Sequence, residues 1–532
     1  MCGIYLYFDN NKKIIDIENH INNINKIKNR GPDNVVIHNL PYSLIAFHRL
    51  SIINDNLNGN QPFFHINKKT GNQNYLICNG EIFNYNELKK KYFFSHNLKS
   101  DCEILLLLYN EFHFNKFCDI IENEVLGEFA FCIIEYDKNN NLIRILSARD
   151  HLGIRPLFYS KNVFSSNLKS IKDFENVKQY PPGLIRLFNI ENNKIIEKDI
   201  SKNIFVEKSI VTYDDIYLYN VRNSLINAVK IRLNIDLEKI GFLLSGGLDS
   251  SLICAISTLF TKKKIKTFSI GIKNESTDLQ NAELVAKHIN SEHTVVYISE
   301  NEIIEIIDKV IDCIESYDIT TVRASIGNFL IAKYIKENTN IKVVMSGEVS
   351  DELTSGYLFN WYCPQNKINE TTFEYLKNIH YYDGLRCDRT ISEHGLEARI
   401  PFSDIKFIKE YLRIPQFKRH PHYGNIEKYF LRQAFYGINL LPDEILFRRK
   451  EAFSDGVSSK ENSLFKIIQN YCNEKYKNIN HDEVSNEAYY YKQIFIEKFG
   501  YNNICIIPGY WKHKYTKNGL LKKYHDPSAR TL

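Results

Sequence analysis

The second residue of the chain is a cysteine, in the sequence Met1-Cys2-Gly3. If the initiator methionine is removed, the thiol of Cys2 lies beside its own free α-amine. That amine has a reference pKa of about 7.7 to 8.0, so it can accept the thiol proton near neutral pH. Cys2 is therefore a candidate nucleophile with a base of its own, although a cysteine after the initiator also occurs without such a role.

The groups that a glutamine-hydrolysing enzyme needs are also present in the first half of the chain. Such an enzyme needs a guanidinium for the α-carboxylate, a carboxylate for the α-ammonium and two donors for the tetrahedral oxyanion. Arg49, Asp101 and the pair Asn79-Gly80 supply these groups. Singly, each has a simpler interpretation as an exposed charge, a helix cap or a hairpin turn. Only their joint occurrence with Cys2 is informative.

The sequence SGGLDSS at residues 245–251 lies between a predicted strand and a predicted helix. Its two glycines allow close backbone approach, and amides at the start of a helix favour an anion. The hydroxyls of Ser245, Ser250 and Ser251 add donors, so pyrophosphate is the expected occupant. The chain has no GxxxxGK[ST] sequence, so phosphoryl transfer of the Walker type is not indicated.

A second strand, turn and helix are predicted for VVMSGEVSDE at residues 343–352. Asp249 and Asp351 each follow a predicted strand, and the carboxyl ends of parallel strands meet at one edge of a sheet. Two carboxylates are hard oxygen ligands that suit Mg²⁺. Alternatively, Glu348, Asp351 and Glu352 are only acids that the helix dipole favours at an N-terminus.

The elements that carry these residues fall into two regions. Residues 1 to about 200 predict short strands and a few helices, hence an α+β sandwich. From residue 216, helices alternate with short β-branched segments, which predicts an α/β doubly wound parallel sheet with extra helices. Beyond residue 383 the pattern is mainly helical. We therefore expect domains at residues 1–200 and 216–532, joined by a linker at residues 201–215.

The predicted elements have the following bounds. The strands of the first region cover residues 2–8, 43–53, 74–78, 129–136, 142–149 and 183–188, and its helices cover residues 17–29 and 101–112. The strands of the second region cover residues 240–244, 266–272, 294–298 and 341–345, and its first helices cover residues 217–233, 251–260 and 281–290.

The composition excludes several classes of protein. The 532 residues include 68 Lys and Arg against 63 Asp and Glu, so nucleic acid is not the expected partner. The longest apolar stretches fall short of the roughly 18 to 20 residues of a membrane span. Eleven cysteines occur singly, without CxxC pairs, which supports neither a disulfide framework nor a zinc site. The N-terminus turns polar too early for a secretory signal, so a cytoplasmic protein is expected.

Six segments of the first half together resemble the N-terminal-nucleophile glutamine amidotransferase domain. They are CGI at 2–4, RGPD at 30–33, HRLSII at 48–53, CNGEIFN at 78–84, GEFA at 127–130 and ARDHLGIRPL at 148–157. This resemblance implies an αββα sandwich in which Cys2 forms a glutamyl thioester and releases ammonia. It also implies an oxyanion hole of Asn79 and Gly80. The residues that would hold glutamine are Arg49, Leu50, Ser51, Ile52, Ile53, Asn79, Gly80, Glu81 and Asp101.

The second half extends the resemblance to the C-terminus. The 245–251 segment is similar to the pyrophosphate loop of ATP pyrophosphatases. Together with IESYDITTVRAS at 314–325, LRCDRTISEHGLEARIPFSD at 385–404, RKEAFSDGVSS at 449–459 and HDPSARTL at 525–532, it resembles the glutamine-hydrolysing asparagine synthetase family. β-Lactam synthetases share this architecture but lack the N-terminal cysteine.

The resemblance implies a two-site relay with ATP and Mg²⁺. The β-carboxylate of aspartate would attack the α-phosphate of ATP, giving pyrophosphate and β-aspartyl-AMP. Ammonia from the Cys2 site, carried through an interdomain passage, would then displace AMP. Glu348 and Lys450 would be catalytic, and Asp249 and Asp351 would bind the metal. The residues that would bind ATP are Leu243, Leu244, Ser245, Gly246, Gly247, Asp249, Ser250, Ser251, Ile270, Ser346 and Gly347.

Some implications stay open at the level of sequence. Asp388, Arg389 and Arg399 would contact aspartate, although structural ion pairs are equally expected for them. Val349 replaces a glycine that the family usually has, so a positive φ there would be strained. The alternatives are an ammonia-dependent ligase with a structural glutaminase domain and a decayed, nucleotide-binding regulatory homologue. The expected partners are small-molecule substrates, with no nucleic acid or membrane, and a homodimer is compatible with the resemblance.

Overall fold

A computed structural model describes residues 1–9, 11, 16–53, 56–93, 95–206, 209–273, 276–449 and 463–522. The chain forms two compact units. The first comprises Met1–Phe205 together with Ser392–Leu396, and the second comprises the rest of the chain from Val206. Within the described ranges, no helix is long and apolar enough to cross a membrane.

The first unit is built on two antiparallel sheets of six strands each, in the orders β10-β8-β9-β1-β3-β2 and β12-β11-β7-β6-β5-β4. The strands are β1 (Gly3–Phe8), β2 (Asn34–Leu40), β3 (Ser43–Arg49), β4 (Phe63–Ile66), β5 (Gln73–Ile82), β6 (Gly127–Tyr136), β7 (Leu142–Arg149), β8 (Phe158–Ser160), β9 (Val163–Ser165), β10 (Lys178–Gln179), β11 (Leu184–Asn189) and β12 (Lys194–Asp199). The helices are α1 (Glu18–Asn25), α2 (Tyr85–Tyr92), α3 (Glu103–Glu111) and α4 (Phe114–Asn123).

Alternating side chains of the strands define the layers of this unit. Ile4 of β1 and Ile77 of β5 belong to one apolar core between the two sheets. On the outer face of the first sheet, the hydroxyl of Tyr5 lies 2.8 Å from His20 of α1. On the outer face of the second sheet, α3 and α4 bury their apolar sides, including Leu105. The predicted αββα sandwich is confirmed.

Of the twelve strands described in this unit, the sequence located six, β1, β3, β5, β6, β7 and β11; it missed the other six, together with α2 and α4. β2 lies at a sheet edge and its side chains are mostly half-buried or exposed, so its apolar alternation is weak. β5 extends from Gln73 to Ile82, well beyond the predicted residues 74–78. Its second half, Asn79-Gly80-Glu81, is polar in sequence yet forms strand because every residue pairs with β6.

The second unit contains a five-stranded parallel sheet in the order β15-β14-β13-β16-β17. Its strands are β13 (Ile240–Leu243), β14 (Lys266–Ile272), β15 (Glu292–Ile298), β16 (Val343–Met345) and β17 (Glu397–Arg399), and a small hairpin joins β18 (Tyr515–Thr516) to β19 (Gly519–Leu520). The chain order reverses at β13, where β14 lies on one side and β16 on the other. Ligands bind at such switch points, outside the carboxyl ends of the strands.

Helices connect and follow these strands, as the doubly wound prediction requires. They are α5 (Asp214–Ile231), α6 (Leu248–Thr258), α7 (Thr277–His288), α8 (Glu300–Glu305), α9 (Ile307–Ile314), α10 (Ile319–Asn338), α11 (Ser350–Thr354), α12 (Ile368–Asn378), α13 (Asp383–Ser392), α14 (Ile405–Leu412), α15 (Gln416–Arg419), α16 (Tyr429–Phe435), α17 (Asp443–Leu446), α18 (Leu464–Lys475) and α19 (Asn486–Phe499). The predicted fold class of this region is confirmed.

The described part of the chain beyond residue 383 is mainly helical, as predicted, with β17, β18 and β19 as short exceptions. Glu397–Arg399 forms β17, which pairs in parallel with β16 at the edge of the sheet. A strand of three residues is too short to show an alternating pattern. Its formation is decided by the backbone hydrogen bonds that β16 offers, which sequence periodicity does not report.

The turn between β16 and α11 contains a strained residue. Val349 has φ 75° and ψ −15°, in the left-handed region, and only 1% of the residue is exposed. The positive φ expected from the missing glycine is therefore confirmed. A β-branched residue in this region is a genuine outlier, and left-handed backbone costs an L-residue roughly 1 to 2 kcal/mol.

We expect the usual stability order of alanine and glycine to be reversed at this turn. Val349→Gly should be more stable than Val349→Ala by about 1 kcal/mol, because both lose the same buried methyl groups but only glycine relieves the backbone strain. Urea unfolding of the two variants measures the difference. The matched pair Val310→Gly and Val310→Ala, in the buried middle of α9, should show alanine ahead by about 1 kcal/mol. If the alanine variant were more stable than the glycine variant at both Val349 and Val310, the inference of backbone strain at Val349 would be wrong.

A buried ion pair between two distant helices is expected to contribute strongly to stability. Arg323 of α10 donates from Nε and Nη2 to the two carboxylate oxygens of Glu487 in α19, at 2.8 and 2.5 Å. Glu487→Gln should lower the free energy of unfolding by about 3 to 5 kcal/mol, since it leaves a buried guanidinium without its countercharge. Urea unfolding tests this, with the exposed Glu497→Gln of α19 as control. A change as small as that of the control would exclude a stabilising pair.

Candidate active sites

Cys2 lies immediately before β1 and is held by contacts to its backbone. Its carbonyl accepts a hydrogen bond from Arg30 Nε at 3.0 Å. With the Asn79 amide oriented to satisfy its neighbours, Asn79 Nδ2 donates to the same carbonyl at 2.8 Å and Asn79 Oδ1 accepts from Arg30 at 3.2 Å. The thiol Sγ lies 3.9 Å from the carbonyl of Leu50. The predicted residues Cys2, Leu50 and Asn79 are thus neighbours in space.

Arg30 is a residue of this site to which the sequence assigned no role. It stands in the RGPD segment, which contributed only to the resemblance. The structure shows a buried guanidinium that links Cys2 to Asn79. The only signal in the sequence was the RGPD segment itself, because the burial of Arg30 becomes visible only in the structure.

The pair Asn79-Gly80 is fixed by strand pairing. Asn79 opposes Ala130 and Gly80 opposes Phe129 of β6, so both backbones are rigid. A Cβ at position 80 would collide with backbone atoms of Glu128 and Phe129, so only glycine fits. The position therefore requires a close approach of two strands, which a hairpin turn does not explain.

Two of the three charged residues predicted to hold glutamine, Arg49 and Asp101, are buried and held by hydrogen bonds. Arg49 ends β3, and its Nη1 donates to the Asn56 carbonyl at 2.6 Å and to Asn60 Oδ1 at 3.0 Å. Asp101 Oδ2 accepts from the backbone amide of Ile82 at 2.7 Å. Asp101 therefore lies against the same segment of β5 that carries Gly80 and Glu81.

The remaining predicted residues of this site follow Arg49 along the chain. The amide of Ser51 donates to Asp33 at 2.8 Å. Leu50 and Ile52 are buried, and Ile53 is half-buried. The segment from Leu50 to Ile53 therefore starts beside the Cys2 thiol.

Cys2 and Cys505 are the two cysteines of the chain that are not buried. The nearest competitor for the role of nucleophile is Cys102, whose Sγ lies 3.4 Å from the carbonyl of Gly80. A hydrogen bond with Cys78, together with burial, raises the pKa of the Cys102 thiol well above its usual value. Because the thiolate is the reactive form, Cys102 is inert and Cys2 is the better nucleophile.

The predicted pyrophosphate loop connects β13 to α6. Ser245 Oγ lies 3.0 Å from Ser250 Oγ and accepts from the Gly247 amide at 3.3 Å. Gly246 has φ 72°, and a Cβ there would collide with α7. The hydroxyl of Ser251 is buried and has no hydrogen-bond partner within the described part of the chain. The loop is a compact turn whose hydroxyls and helix N-terminus suit an anion.

The turn after β16 packs directly on this loop. A Cβ at Gly347 would lie 2.8 Å from the Ser250 amide, so the two turns need glycine at their contact. Ser350 Oγ donates to Asp249 Oδ1 at 2.7 Å. The predicted residues Asp249, Ser346 and Gly347 are therefore brought to one edge of the sheet by the adjacency of β13 and β16.

Asp249 and Asp351, the predicted metal ligands, meet at one ammonium group. Lys428 Nζ lies 2.6 Å from Asp249 Oδ2 and 2.6 Å from Asp351 Oδ1. Two such carboxylates fit the oxygen preference of Mg²⁺. Across the described ranges there is no group of three or more His, Cys, Asp or Glu that could hold a metal ion.

Glu348 forms a second charged cluster beside this one. Arg386 Nη2 lies 2.5 Å from Glu348 Oε2, and Arg386 also pairs with Asp383. Burial lowers the pKa of the Arg386 guanidinium, but the negative charges of Asp383 and Glu348 outweigh burial and raise that pKa above its ordinary value. Burial and the charge of Asp383 raise the pKa of nearby Glu352 well above its usual range. Sequence reasoning missed Asp383 and Arg386, whose spacing of three residues on a helix was the available signal.

The three residues predicted to contact aspartate are engaged elsewhere. Arg389 pairs with Glu315 at 3.3 Å and with Asp388 at 3.2 Å, all buried. Arg399 pairs with Glu397 at 2.9 Å and is fully buried. The geometry favours the structural ion pairs that were the alternative interpretation, because each guanidinium already has its countercharge.

Three other predicted residues complete the account of the second unit. The amide of Leu244 donates to the Phe268 carbonyl at 2.8 Å, which continues the sheet past β13. Leu243 is half-buried and Ile270 of β14 is buried, next to the loop. Lys450 and the RKEAFSDGVSS segment from residue 450, like the HDPSARTL segment, lie outside the described residues.

Two family profiles match this chain. The glutamine amidotransferase domain family matches residues 1–205. The asparagine synthase family matches residues 220–367 and 364–504. Together the two families account for most of the chain.

Full-length relatives show the same combination. The asparagine synthetase [glutamine-hydrolyzing] of Bos taurus is 37% identical over 580 aligned residues, covering 100% of this chain and 98% of the relative. The probable asparagine synthetase [glutamine-hydrolyzing] of Acanthamoeba polyphaga mimivirus is 36% identical, covering 100% of both chains. The asparagine synthetase [glutamine-hydrolyzing] of Homo sapiens is 36% identical, covering 100% of this chain and 98% of the relative. With both sites and both domain types in one chain, this protein belongs to the glutamine-hydrolysing asparagine synthetase family.

Proposed function

We propose that this protein is a ligase that makes L-asparagine from L-aspartate, with glutamine as the nitrogen donor and ATP as the activating reagent. The products are AMP, pyrophosphate and glutamate. The observation that carries this proposal is that one chain holds a half-buried Cys2 nucleophile and, in its second unit, a pyrophosphate-type loop next to the Asp249 and Asp351 carboxylates. Residues 1–200 would be the glutaminase domain, residues 201–215 the linker and residues 216–532 the synthetase domain.

In the first domain, Cys2 Sγ attacks the side-chain carboxamide carbon of glutamine. The oxyanion accepts hydrogen bonds from Asn79 Nδ2 and the Gly80 amide. The thiol proton passes, through the α-amine that removal of Met1 frees, to the leaving nitrogen; the carbon–nitrogen bond breaks and ammonia leaves. Water then hydrolyses the glutamyl thioester to glutamate. Arg30 positions Cys2 and Asn79, as its contacts to both support.

The substrate glutamine is held by its α-groups. Arg49 pairs with the α-carboxylate, while Asp101 and Glu81 accept from the α-ammonium. Leu50, Ser51, Ile52 and Ile53 line the chain segment beside the thiol. The positions of Arg49 and Asp101 support these roles, because Arg49 directly precedes the segment beside the thiol and Asp101 lies against the part of β5 that carries Gly80 and Glu81.

In the second domain, the β-carboxylate of aspartate attacks the α-phosphate of ATP, and the bond to pyrophosphate breaks. The loop from Ser245 to Ser251 holds the departing pyrophosphate through its hydroxyls and helix amides. Leu243, Leu244 and Ile270 line the adenine and ribose pocket, and Ser346 and Gly347 contact the nucleotide. Mg²⁺ held by Asp249 and Asp351 would neutralise phosphate charge in this step.

Ammonia then displaces AMP from β-aspartyl-AMP and gives asparagine. Glu348 would accept the proton that the attacking nitrogen must lose. Arg386 positions Glu348, and the cluster of Glu348, Arg386 and Asp383 offers both charges that the α-groups of aspartate require. We therefore move the aspartate-binding role from Asp388, Arg389 and Arg399 to this cluster. The predicted catalytic role of Lys450 stays a prediction.

The setting of the reaction is also a proposal. All eleven cysteines are free thiols, which fits a reducing compartment such as the cytoplasm. The partners we infer are small-molecule substrates, with no nucleic acid or membrane surface, and a homodimer stays a prediction.

Replacing Cys2 tests the two-site relay. Cys2→Ala should abolish asparagine synthesis from glutamine and leave synthesis from ammonium salts within about twofold, because only the thioester step needs the thiol. The measurement is asparagine and pyrophosphate formed from ATP, Mg²⁺ and aspartate with either nitrogen source. Cys505→Ala, at the other exposed cysteine, should leave both reactions unchanged.

The same assay distinguishes the alternatives. Glutamine-dependent synthesis that survives Cys2→Ala would refute the nucleophile assignment. A wild-type protein that uses ammonium alone would be a ligase with a structural glutaminase domain. Absence of aspartate-dependent pyrophosphate release would favour a regulatory, nucleotide-binding homologue.

Arg386 provides a test of the second site. Arg386→Lys should lower kcat for asparagine synthesis at least about tenfold, because one ammonium cannot replace the fork that pairs Glu348 and Asp383 at once. Steady-state kinetics with ammonium as the nitrogen source measures this. Glutaminase activity of the same variant should be unchanged, and Arg413→Lys, at a more exposed ion pair, serves as control. If kcat of the Arg386→Lys variant equals that of the wild-type protein, Arg386 has no role in the synthetase reaction.

A further inference from the structure

Lys428 is a buried lysine that no motif of the sequence singled out. Its side chain is 1% exposed, and its ammonium is shared by Asp249 Oδ2 and Asp351 Oδ1, each 2.6 Å away. The three residues come from three parts of the fold: Asp249 opens α6, Asp351 lies in α11, and Lys428 immediately precedes α16. Their meeting point is therefore a product of tertiary structure.

The backbone and the surroundings of Lys428 are adapted to this contact. Lys428 has φ 60° and ψ 31°, in the left-handed region that costs a non-glycine residue free energy. Strained residues of this kind cluster at functional sites. A Cβ at Gly356 would collide with both the Lys428 side chain and the Asp351 carboxylate, so glycine at position 356 leaves the room that the pair needs.

The charges explain why an ammonium is needed there. Asp249 and Asp351 both contact the single nitrogen of the Lys428 ammonium, and without that ammonium the two carboxylates would repel each other strongly. One ammonium leaves the trio with a net charge of −1, where the two carboxylates alone would carry −2. Each carboxylate oxygen has two lone pairs. An oxygen that accepts from Lys428 therefore has a second lone pair, so this contact alone does not prevent the same carboxylate from binding a cation.

We propose that Lys428 is a positioning residue of the adenylation site, whose ammonium holds Asp249 and Asp351 at the spacing that a divalent cation with its nucleotide requires. This inference rests on the proposed function of the second domain. Without the ammonium, the two carboxylates separate by repulsion and the cation–nucleotide complex binds more weakly. Lys428 itself does not take part in bond making.

The response of a Lys428 variant to added divalent cation distinguishes three roles for the lysine. If Lys428 acts by arranging the carboxylates, a higher cation concentration should restore the missing attraction between them. If the lysine only supported the core, added cation would change nothing. If the ammonium competed with the metal for the same oxygens, removing it would tighten cation binding.

Two variants remove the contact in different ways. Lys428→Met removes the charge and keeps an unbranched apolar side chain, while Gly356→Ala keeps the charge and displaces the ammonium. Lys406→Met, at an exposed lysine in α14, is the matched control. The primary measurement is Mn²⁺ binding by electron paramagnetic resonance, with full-length protein and a non-hydrolysable ATP analogue. Steady-state kinetics with Mg²⁺, ATP, aspartate and ammonium accompanies it.

We expect Mn²⁺ binding to weaken about tenfold in both variants and to remain unchanged in the control. The KM for ATP should rise by a similar factor and fall back towards the wild-type value when Mg²⁺ is raised tenfold. Glutaminase activity should be unaffected in all three variants. If Lys428→Met does not fold, as judged by circular dichroism, Gly356→Ala alone decides the outcome.

Unchanged or tighter Mn²⁺ binding would overturn the proposal, as would a kinetic defect that added Mg²⁺ does not relieve. These outcomes are separate from failure of the proposed function. A wild-type protein that makes no asparagine would refute the function, while the Mn²⁺ titrations would still report whether Lys428 organises the carboxylates.

Discussion

The second unit is organised around the need to neutralise partly buried carboxylates at the carboxyl ends of β13 and β16. Removing a carboxylate from water costs several kcal/mol unless it finds a countercharge. Lys428 meets this need for Asp249 and Asp351, and Arg386 meets it for Glu348 and Asp383. These cations come from the helical region beyond the first four strands of the sheet, so that region supplies countercharges to the sheet edge as well as packing.

The first unit solves a similar problem with backbone groups. The loop that follows β7 folds around Asp150, whose carboxylate accepts from three backbone amides, including those of Ile154 and Arg155. Burial nevertheless raises the pKa of Asp150 to about 6. Arg155 in turn pairs with Glu128 of β6 in full burial, 2.9 Å apart. The pairing of these buried charges thus helps to hold β6, the strand that pairs with Gly80, in place.

Backbone strain marks the points where these requirements compete with local preference. Val349 and Lys428 both have left-handed backbone directly before a helix. Val349 lies two residues before Asp351, and Lys428 binds Asp351 and Asp249. Their cost is met by the surrounding packing, since both residues are almost wholly buried. Sequence pattern revealed the first of them, because a glycine was expected at position 349. It gave no sign of the second, because an ordinary lysine before a helix carries no local signature.

The sequence by itself indicated the fold class and about half of the strands through periodicity, and the two chemistries through the resemblance carried by segments such as CGI and SGGLDSS. It also placed Asp249 and Asp351 at one sheet edge. Only the tertiary structure decided which cation joins them, since Lys428 lies 179 residues from Asp249 in the chain. The same holds for β17, formed by pairing with β16, and for the ion pairs that join Arg386 to Glu348 and Asp383. Which carboxylate a buried guanidinium meets is set by packing between distant segments, and local sequence carries no record of it.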